Sequence, residues 1–196
     1  MTQIWLGHGA WGSAASVAPW VDGLRGLGLD AHPVTLPRGR AERGIVPFAA
    51  QVPDVPGAIV GGHSLGGRVA TLLAAGGSEV AVREHALAGV VAISFPLHPP
   101  RLPDPTLARA AHFPLVTVPV LLLAGDADPY ARLDLLRDAV ALLPRAELVV
   151  YPNLGHDLAP VRDDVLARIG AFMAALGAHS PSGGAGSSRR PARRSG

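Results

Sequence analysis

Short apolar runs recur along the chain, and none of them shows the spacing of an amphipathic helix. Runs of this length that are apolar almost throughout are typical of strands buried on both faces of a parallel sheet. The runs are QIWLGH (3–8), AHPVTL (31–36), AIVGGH (58–63), GVVAISF (89–95), VPVLLLAG (118–125) and AELVVYP (146–152).

Segments with helical spacing lie between these runs. They cover residues 13–27, 65–75, 132–143 and 162–176. Because strands and helices alternate, the pattern predicts an α/β protein, a three-layer α/β/α sandwich around a mostly parallel sheet of about six strands. In such a sheet, ligand chemistry collects at the carboxyl ends of the strands.

This pattern stops near Ala178. Residues 179–196 read HSPSGGAGSSRRPARRSG and offer almost no apolar side chains to a core. Segments of this composition do not fold alone. We therefore expect one domain over residues 1–178, followed by a disordered arginine-rich tail over residues 179–196.

The charge of the chain is concentrated in this tail. The pI is near 9.9 and all 17 basic residues are arginine, but four of them lie in the last eight residues. The other 13 arginines face 15 acidic residues, so the composition of the domain does not favour nucleic acid as a partner. Contact of the tail with nucleic acid or another anionic surface is the alternative.

The sequence also lacks the marks of several protein classes. It has no cysteine, which excludes disulfides, thiolate metal sites and a cysteine nucleophile. It has no uninterrupted apolar stretch of about 18 residues, as a membrane span would need. Its first residues, MTQIWLGHGAWG, lack the basic-then-apolar layout of a signal peptide. We expect a cytoplasmic protein that does not enter a membrane.

The third apolar run ends at a serine between glycines. Residues 62–66 read GHSLG, and Ser64 lies where the predicted strand stops and the helix from Leu65 begins. This pattern fits the G-x-S-x-G turn, which lifts a nucleophilic hydroxyl out of a sheet. Gly62 and Gly66 would leave space where strand and helix approach each other. The alternative is a glycine-rich turn with no chemical role.

A serine nucleophile needs a base, and the base needs an acid that orients it. Asp126 and Asp128 follow the fifth apolar run and His156 follows the sixth, so all three are expected at the same sheet edge as Ser64. We favour Asp128 as the acid, because the loop has cleared the strand there, and interpret Asp126 as a turn residue. Asp157 is interpreted as a helix-start or loop residue.

Acyl transfer also needs backbone N–H groups that stabilise a negative oxygen. Leu65, the residue after the serine, would supply one. The second is expected from the loop after the first strand, from Ala10 or alternatively from Trp11. His8 and His63 are interpreted as structural. The remaining scattered histidines have no carboxylate partners at metal-ligand spacing, so we expect no metal.

With these residues in place, the chain resembles the α/β-hydrolase superfamily over about residues 2–176. More narrowly, it is similar to the small dienelactone-hydrolase-related branch that includes testis-expressed and non-specific-lethal-complex hydrolase-like proteins. The motifs that carry the resemblance are GGHSLGGRVA, SFPLHPP, LLLAGDADPY and YPNLGHDL, of which PLHPP is the most specific to the branch.

The resemblance implies a minimal fold of this superfamily and a triad of Ser64, Asp128 and His156. Residues 96–117 are too few for a helical cap domain, so we expect none. Dienelactone hydrolases use a cysteine nucleophile, which this chain lacks, so their substrate is not carried over.

We therefore predict a cofactor-free serine hydrolase that cleaves a small ester, thioester or lactone through an acyl-enzyme. Its expected partner is a small acyl substrate. Trp11, His98 and Tyr130 are candidates for contact with that substrate, and for His98 the alternative is a loop residue held by the surrounding prolines. The alternative function is a non-catalytic interaction module that keeps the hydrolase scaffold.

Overall fold

Six parallel strands form the centre of the fold. The computed structural model describes residues 2–52, 57–76 and 87–178, and the tail predicted over residues 179–196 lies outside the described residues. Within them the strands follow the order β2-β1-β3-β4-β5-β6, and each neighbouring pair is parallel. Their bounds are β1 (Gln3–Gly7), β2 (Asp30–Val34), β3 (Ile59–His63), β4 (Gly89–Ile93), β5 (Val120–Gly125) and β6 (Ala146–Tyr151).

Helices connect these strands. Those predicted from the sequence are present as α1, α3, α4 and α5, and α2 is an addition that the spacing of apolar residues did not predict. Pro47 lies in the first turn of α2, where backbone N–H groups have no acceptor within the helix, so a proline is tolerated there. The bounds are α1 (Ala14–Gly26), α2 (Ile45–Gln51), α3 (Leu65–Ala74), α4 (Leu133–Val140) and α5 (Arg162–Ala178).

The strands are apolar on both faces because helices cover both faces. Ile59 and Val91 belong to the buried cluster that α1 and α5 cover. Their chain neighbours Val60 and Val90 belong to the cluster that α2, α3 and α4 cover. The predicted three-layer α/β/α sandwich is therefore confirmed, and its sheet is parallel throughout and open at both edges.

The order of the strands creates a crevice between β1 and β3. These two strands are neighbours, but the chain leaves β1 for α1 on one face and leaves β3 for α3 on the other face. Loops that diverge in this way leave a crevice at the carboxyl edge, where open α/β sheets bind ligands. Both Ser64 and the loop after β1 lie at this crevice.

The connection from β4 to β5 stays short. Residues 94–119 contain two 3-10 segments, Ala108–Ala110 and Phe113–Leu115, and no α-helix, so no cap domain is inserted there, as predicted. None of the helices in the described ranges is both long enough and apolar enough to cross a bilayer. The site at the sheet edge is therefore built from the loops of the domain itself.

Candidate active site

Ser64 occupies the turn between β3 and α3 in a strained backbone conformation. Its φ of 52° and ψ of −113° lie outside the regions that residues other than glycine ordinarily adopt. Two backbone hydrogen bonds hold the turn: the Ser64 N–H donates to the Ile93 carbonyl at 2.8 Å, and the Arg68 N–H donates to the Ser64 carbonyl at 3.2 Å. The strained turn places Ser64 in the wall of the crevice.

Glycines allow α3 to begin against the backbone of β1. A Cβ atom at Gly62 or at Gly66 would overlap the carbonyl oxygen of Gly7. Neither position accepts a side chain, because the overlapping atoms belong to the backbone of a central strand. The expectation that these glycines leave space between strand and helix is confirmed, and their contact with β1 fixes where Ser64 lies.

Gly66→Ala should destabilise the protein by roughly 2 to 4 kcal/mol, because the added methyl group meets backbone atoms of β1. Gly26→Ala, at the end of α1, is the matched control. A Cβ atom there would have nothing within 4 Å, and alanine favours a helix by up to about 1 kcal/mol. Urea unfolding measures both variants, and equal stability would contradict the close approach of α3 to β1.

Ser64, His156 and Asp128 form one chain of hydrogen bonds. The Ser64 hydroxyl lies 2.8 Å from His156 Nε2, and His156 Nδ1 lies 2.8 Å from Asp128 Oδ2. The Asp128 side chain is fully buried, whereas the His156 side chain is 21% exposed. In this arrangement His156 can accept the Ser64 proton while its Nδ1–H is held by the carboxylate, which is how a serine hydroxyl is activated.

The other two aspartates at this edge hold loop backbone. Asp126 is exposed, and its Oδ1 accepts the N–H of Asn153 at 2.7 Å in the loop that leads to His156. Asp157 Oδ1 accepts the N–H of Ala159 at 2.9 Å, where a 3-10 segment begins. These contacts agree with their interpretation as turn and helix-start residues. Across the described ranges, no three His, Asp or Glu side chains meet in a way that could hold a metal ion.

The start of α3 and the loop after β1 both lie beside Ser64. Leu65 is the first residue of α3, so its N–H has no acceptor within the helix. The loop after β1 packs on the serine from the other side, where a Cβ atom at Gly9 would lie 3.7 Å from the Ser64 Cβ. Ala10 and Trp11 of this loop line the same cavity as Ser64. The start of α3 and the loop after β1 thus both border the cavity beside Ser64.

His8 stiffens the loop that carries Ala10. Its ring is buried, Nδ1 donates to the Gly9 carbonyl at 2.8 Å, and Nε2 accepts the N–H of Leu36 at 3.0 Å. Both ring nitrogens are therefore occupied by backbone groups. This agrees with the structural interpretation of His8.

His63 supports the loop of His156. Its Nε2 donates to the His156 carbonyl at 3.2 Å, and the two rings lie 5.2 Å apart. Burial lowers the pKa of His63 below its ordinary value, and the hydrogen bond to the carbonyl opposes this effect only in part. The lowered pKa favours the neutral form of His63, so its ring fastens the loop of His156 without bringing a positive charge to the site.

A cavity of about 480 Å³ opens beside Ser64. Trp11 and Tyr130, both expected to contact substrate, lie in its wall. The Trp11 side chain is 90% exposed at its mouth, and the Tyr130 ring lies 4.4 Å from the His156 ring. The lining residues are His8, Gly9, Ala10, Trp11, Gly12, Ser16, Val17, Pro19, Trp20, His63, Ser64, Tyr130, His156, Asp157, Ala159 and Arg162.

His98, the third residue expected to contact substrate, does not reach this cavity. It is buried, its Nδ1 donates to the Pro99 carbonyl at 2.8 Å, and its Nε2 accepts the N–H of Arg132 at 2.9 Å. Its own N–H donates to the Tyr130 carbonyl at 2.9 Å. The expectation is corrected accordingly: His98 fastens the loop after β4 to the segment that carries Asp128, in agreement with the alternative interpretation as a structural loop residue.

Trp20 and Arg162 line the cavity without any signal in the sequence. Trp20 has the spacing of a core residue in α1, and Arg162 begins a helix as many charged residues do. The one available hint is that Arg162 follows His156 closely in the chain. The contact between Trp20 on α1 and Arg162 on α5 joins two separate helices, and only the folded structure reveals it.

Comparison with known proteins agrees with this architecture. A family model described as an alpha/beta hydrolase domain matches residues 41–176, which is more than half of the chain. Among curated proteins compared by sequence, none matches the chain.

Several solved structures share the fold. A monoacylglycerol lipase from Paleococcus ferrophilus has a TM-score of 0.71 at 18% identity, with 91% of this chain and 95% of that chain covered. Est1E from Butyrivibrio proteoclasticus, solved with ferulic acid bound, has a TM-score of 0.69 at 16% identity, with 91% and 90% covered. ClbQ from the colibactin NRPS/PKS pathway has a TM-score of 0.66 at 15% identity, with 91% and 99% covered. At these identities, the likeness shows the fold alone.

Proposed function

This chain belongs to the alpha/beta hydrolase family, and we propose that it is a serine hydrolase that cleaves a small ester, thioester or lactone. The observation that carries the proposal is the chain of hydrogen bonds from Ser64 through His156 to Asp128. These hydrogen bonds connect a nucleophile, a base and an acid that orients the base. Ser64 and His156 line a cavity whose volume is in the range of small-molecule binding sites.

In the proposed reaction, His156 takes the Ser64 proton as the hydroxyl oxygen attacks the acyl carbon. The protonated His156 then gives this proton to the leaving group, which departs and leaves an acyl-serine. Water attacks the acyl-serine with His156 again as the base, and the acid is released. Asp128 accepts the Nδ1–H of His156 and stabilises the imidazolium. The other carboxylate oxygen accepts the N–H of Tyr130 at 2.8 Å, which fixes the plane of the carboxylate.

The tetrahedral intermediate carries a negative oxygen, for which we propose the N–H groups of Leu65 and Ala10 as donors. The proposal is supported by the position of Leu65 at the start of α3, since the N-terminal end of a helix favours negative charge. The Ala10 donor is supported by the packing of its loop against Ser64 and by the fixed ring of His8 beneath that loop.

The walls of the cavity favour an acyl group of modest size. Trp11, Trp20 and Tyr130 contribute aromatic surface, and the loop after β1 closes one side. A cavity of about 480 Å³ suits a small ligand that fills much of its volume. We propose Trp11 and Tyr130 as residues that contact the substrate on either side of Ser64.

We also propose that the chain lies in the dienelactone-hydrolase-related branch of the family. Residues 96–100, which read PLHPP, support this proposal because this motif is the most specific to the branch among those that carry the resemblance. With serine as the nucleophile, the chain would still act on a different substrate from the cysteine-dependent dienelactone hydrolases. The cytoplasmic location expected from the sequence stays a prediction.

A fluorophosphonate probe tests the proposed activity directly. We expect rapid covalent labelling of Ser64 in the folded protein, because an activated serine attacks the phosphorus and displaces fluoride. Ser64→Ala should abolish labelling. Ser94→Ala is the matched control, since Ser94 is also a serine with positive φ at the end of a strand but is fully buried.

Hydrolysis of p-nitrophenyl esters of increasing chain length then measures the acyl preference. A folded protein that neither labels nor hydrolyses any of these esters would contradict the proposed activity. Such an outcome would favour the alternative, a non-catalytic interaction module on the same scaffold.

A further inference from the structure

Arg162 is a cationic residue in the cavity wall that the proposed reaction does not use. It is the first residue of α5 and lines the same cavity as Ser64, His156 and Trp20. A substrate bound at Ser64 would therefore share this cavity with a guanidinium group. The charge of Arg162 bears on which substrates the site accepts.

Trp20 holds this guanidinium in place. The Arg162 Cζ atom lies 5.7 Å from the centre of the Trp20 ring, within the range of a cation–π contact. A cation–π contact uses the charge of the guanidinium and leaves its N–H donors free for other partners. Because this contact already restrains the side chain, less side-chain freedom is lost when a ligand binds. The contact thus prepares Arg162 to bind an anion without occupying its donors.

The donors of Arg162 lack a carboxylate partner among the described residues. Its Nε is buried and has no hydrogen-bond partner, although buried N–H groups in proteins are nearly always paired. None of the ion pairs of the described residues includes Arg162. Of the nearby acids, Asp164 pairs with Arg168 at 2.7 Å and Asp157 accepts a backbone N–H. Arg162 therefore has no ion-pair partner among the described residues, although the Asp157 carboxylate lines the same cavity.

We propose that Arg162 binds a carboxylate carried by the substrate, so that the preferred substrate is an ester whose acyl chain ends in a negative charge, such as a monoester of a dicarboxylic acid. This inference rests on the proposed function, because it names the substrate class of the same site. The carboxylate accepts N–H bonds from the terminal nitrogens of the guanidinium and supplies the ion-pair partner that Arg162 lacks among the described residues. Water adds across the ester bond, and the dicarboxylic acid and the alcohol are released.

A matched pair of esters tests the proposal. The probes are the p-nitrophenyl monoester of adipic acid, which is anionic, and p-nitrophenyl hexanoate, which has the same chain length and no charge. We expect Arg162→Gln to lower the ratio of kcat/KM for the anionic ester to kcat/KM for the neutral ester by roughly 10- to 100-fold.

Arg168→Gln is the matched control, since Arg168 lies on the same helix, is ion-paired with Asp164 and is outside the cavity wall. An unchanged ratio in Arg162→Gln, or an equal fall in Arg168→Gln, would overturn the proposal. If Arg162→Gln does not fold, Arg162→Lys takes its place. Lysine keeps the charge but loses the planar donors, so a smaller fall in the ratio is expected and no fall overturns the proposal.

Binding without turnover separates this inference from the proposed function. Calorimetry measures the affinity of the adipate monoester for Ser64→Ala and for Ser64→Ala/Arg162→Gln. We expect the second protein to bind at least roughly tenfold more weakly. If the wild-type protein hydrolyses neither ester, the proposed function fails while an affinity that depends on Arg162 still supports the carboxylate site. Equal affinities overturn it whatever the activity.

Discussion

Ser64→Ala and His156→Ala should each lower kcat for ester hydrolysis by roughly 10³- to 10⁶-fold, with similar losses in the two variants. The Ser64 hydroxyl is a weak nucleophile without the base that lies 2.8 Å away, and that base has no proton to accept without the hydroxyl. For the same reason, the double variant should lose little more than either single variant. Turnover of a p-nitrophenyl ester measures all three.

His32→Ala is the matched histidine control for this experiment. His32 stacks on Trp5 and pairs with Asp30 at the β2 edge of the sheet, outside the cavity wall, so its loss should change turnover little. Near-full activity in a folded Ser64→Ala protein would show that another group attacks the acyl carbon. Fully additive losses in the double variant would show that the serine and the histidine act separately.

Asp128→Asn should lower turnover by up to about 10⁴-fold while the protein stays folded. Asp128 Oδ1 accepts the N–H of Tyr130, so the asparagine carbonyl takes this position and its NH₂ group faces His156. His156 Nδ1 must then accept a hydrogen bond from this NH₂ group, so the ring proton lies on Nε2. In this tautomer, His156 no longer accepts the proton of Ser64.

Asp126→Asn is the same change two residues earlier and provides the control. Its carboxylate accepts the N–H of Asn153, so we expect a loss of stability on the order of 1 kcal/mol and a modest loss of rate. Turnover and melting temperature of both variants distinguish the roles. If Asp126→Asn is inactive and Asp128→Asn is merely less stable, the acid lies two residues earlier than proposed.

The strands and most helices were predictable from the sequence, because buried parallel strands are apolar throughout and helices have a different spacing. The run over residues 118–125, for example, contains β5 at Val120–Gly125. The α2 helix was missed for physical reasons: it has seven residues and a proline in its first turn. Its stability comes from burial of Phe48 in the cluster under α3, and such a tertiary contact has no local signature.

The positions of Ser64, Asp128 and His156 were predictable because each follows a strand and the carboxyl ends of parallel strands meet at one edge. What the sequence could not supply is the direction in which a ring turns. His98 lies in a loop at this same edge, yet its two ring nitrogens bind the carbonyl of Pro99 in the same loop and the N–H of Arg132. The hydrogen bond from His63 to the His156 carbonyl also depends on direction alone, since any residue type offers a carbonyl.

The backbone contact among Gly7, Gly62 and Gly66 has a consequence for how such a protein can change. Because main-chain atoms set the position of Ser64, the nucleophile is insulated from substitutions in the two apolar clusters on either side of the sheet. Residues of the cavity wall on α1 and on the loop after β1 can likewise vary without displacing the serine. The set of accepted substrates can therefore change during evolution, or be changed in a mutant library, while the reacting atoms keep their geometry, provided that the glycines and the three hydrogen-bonded residues stay unchanged.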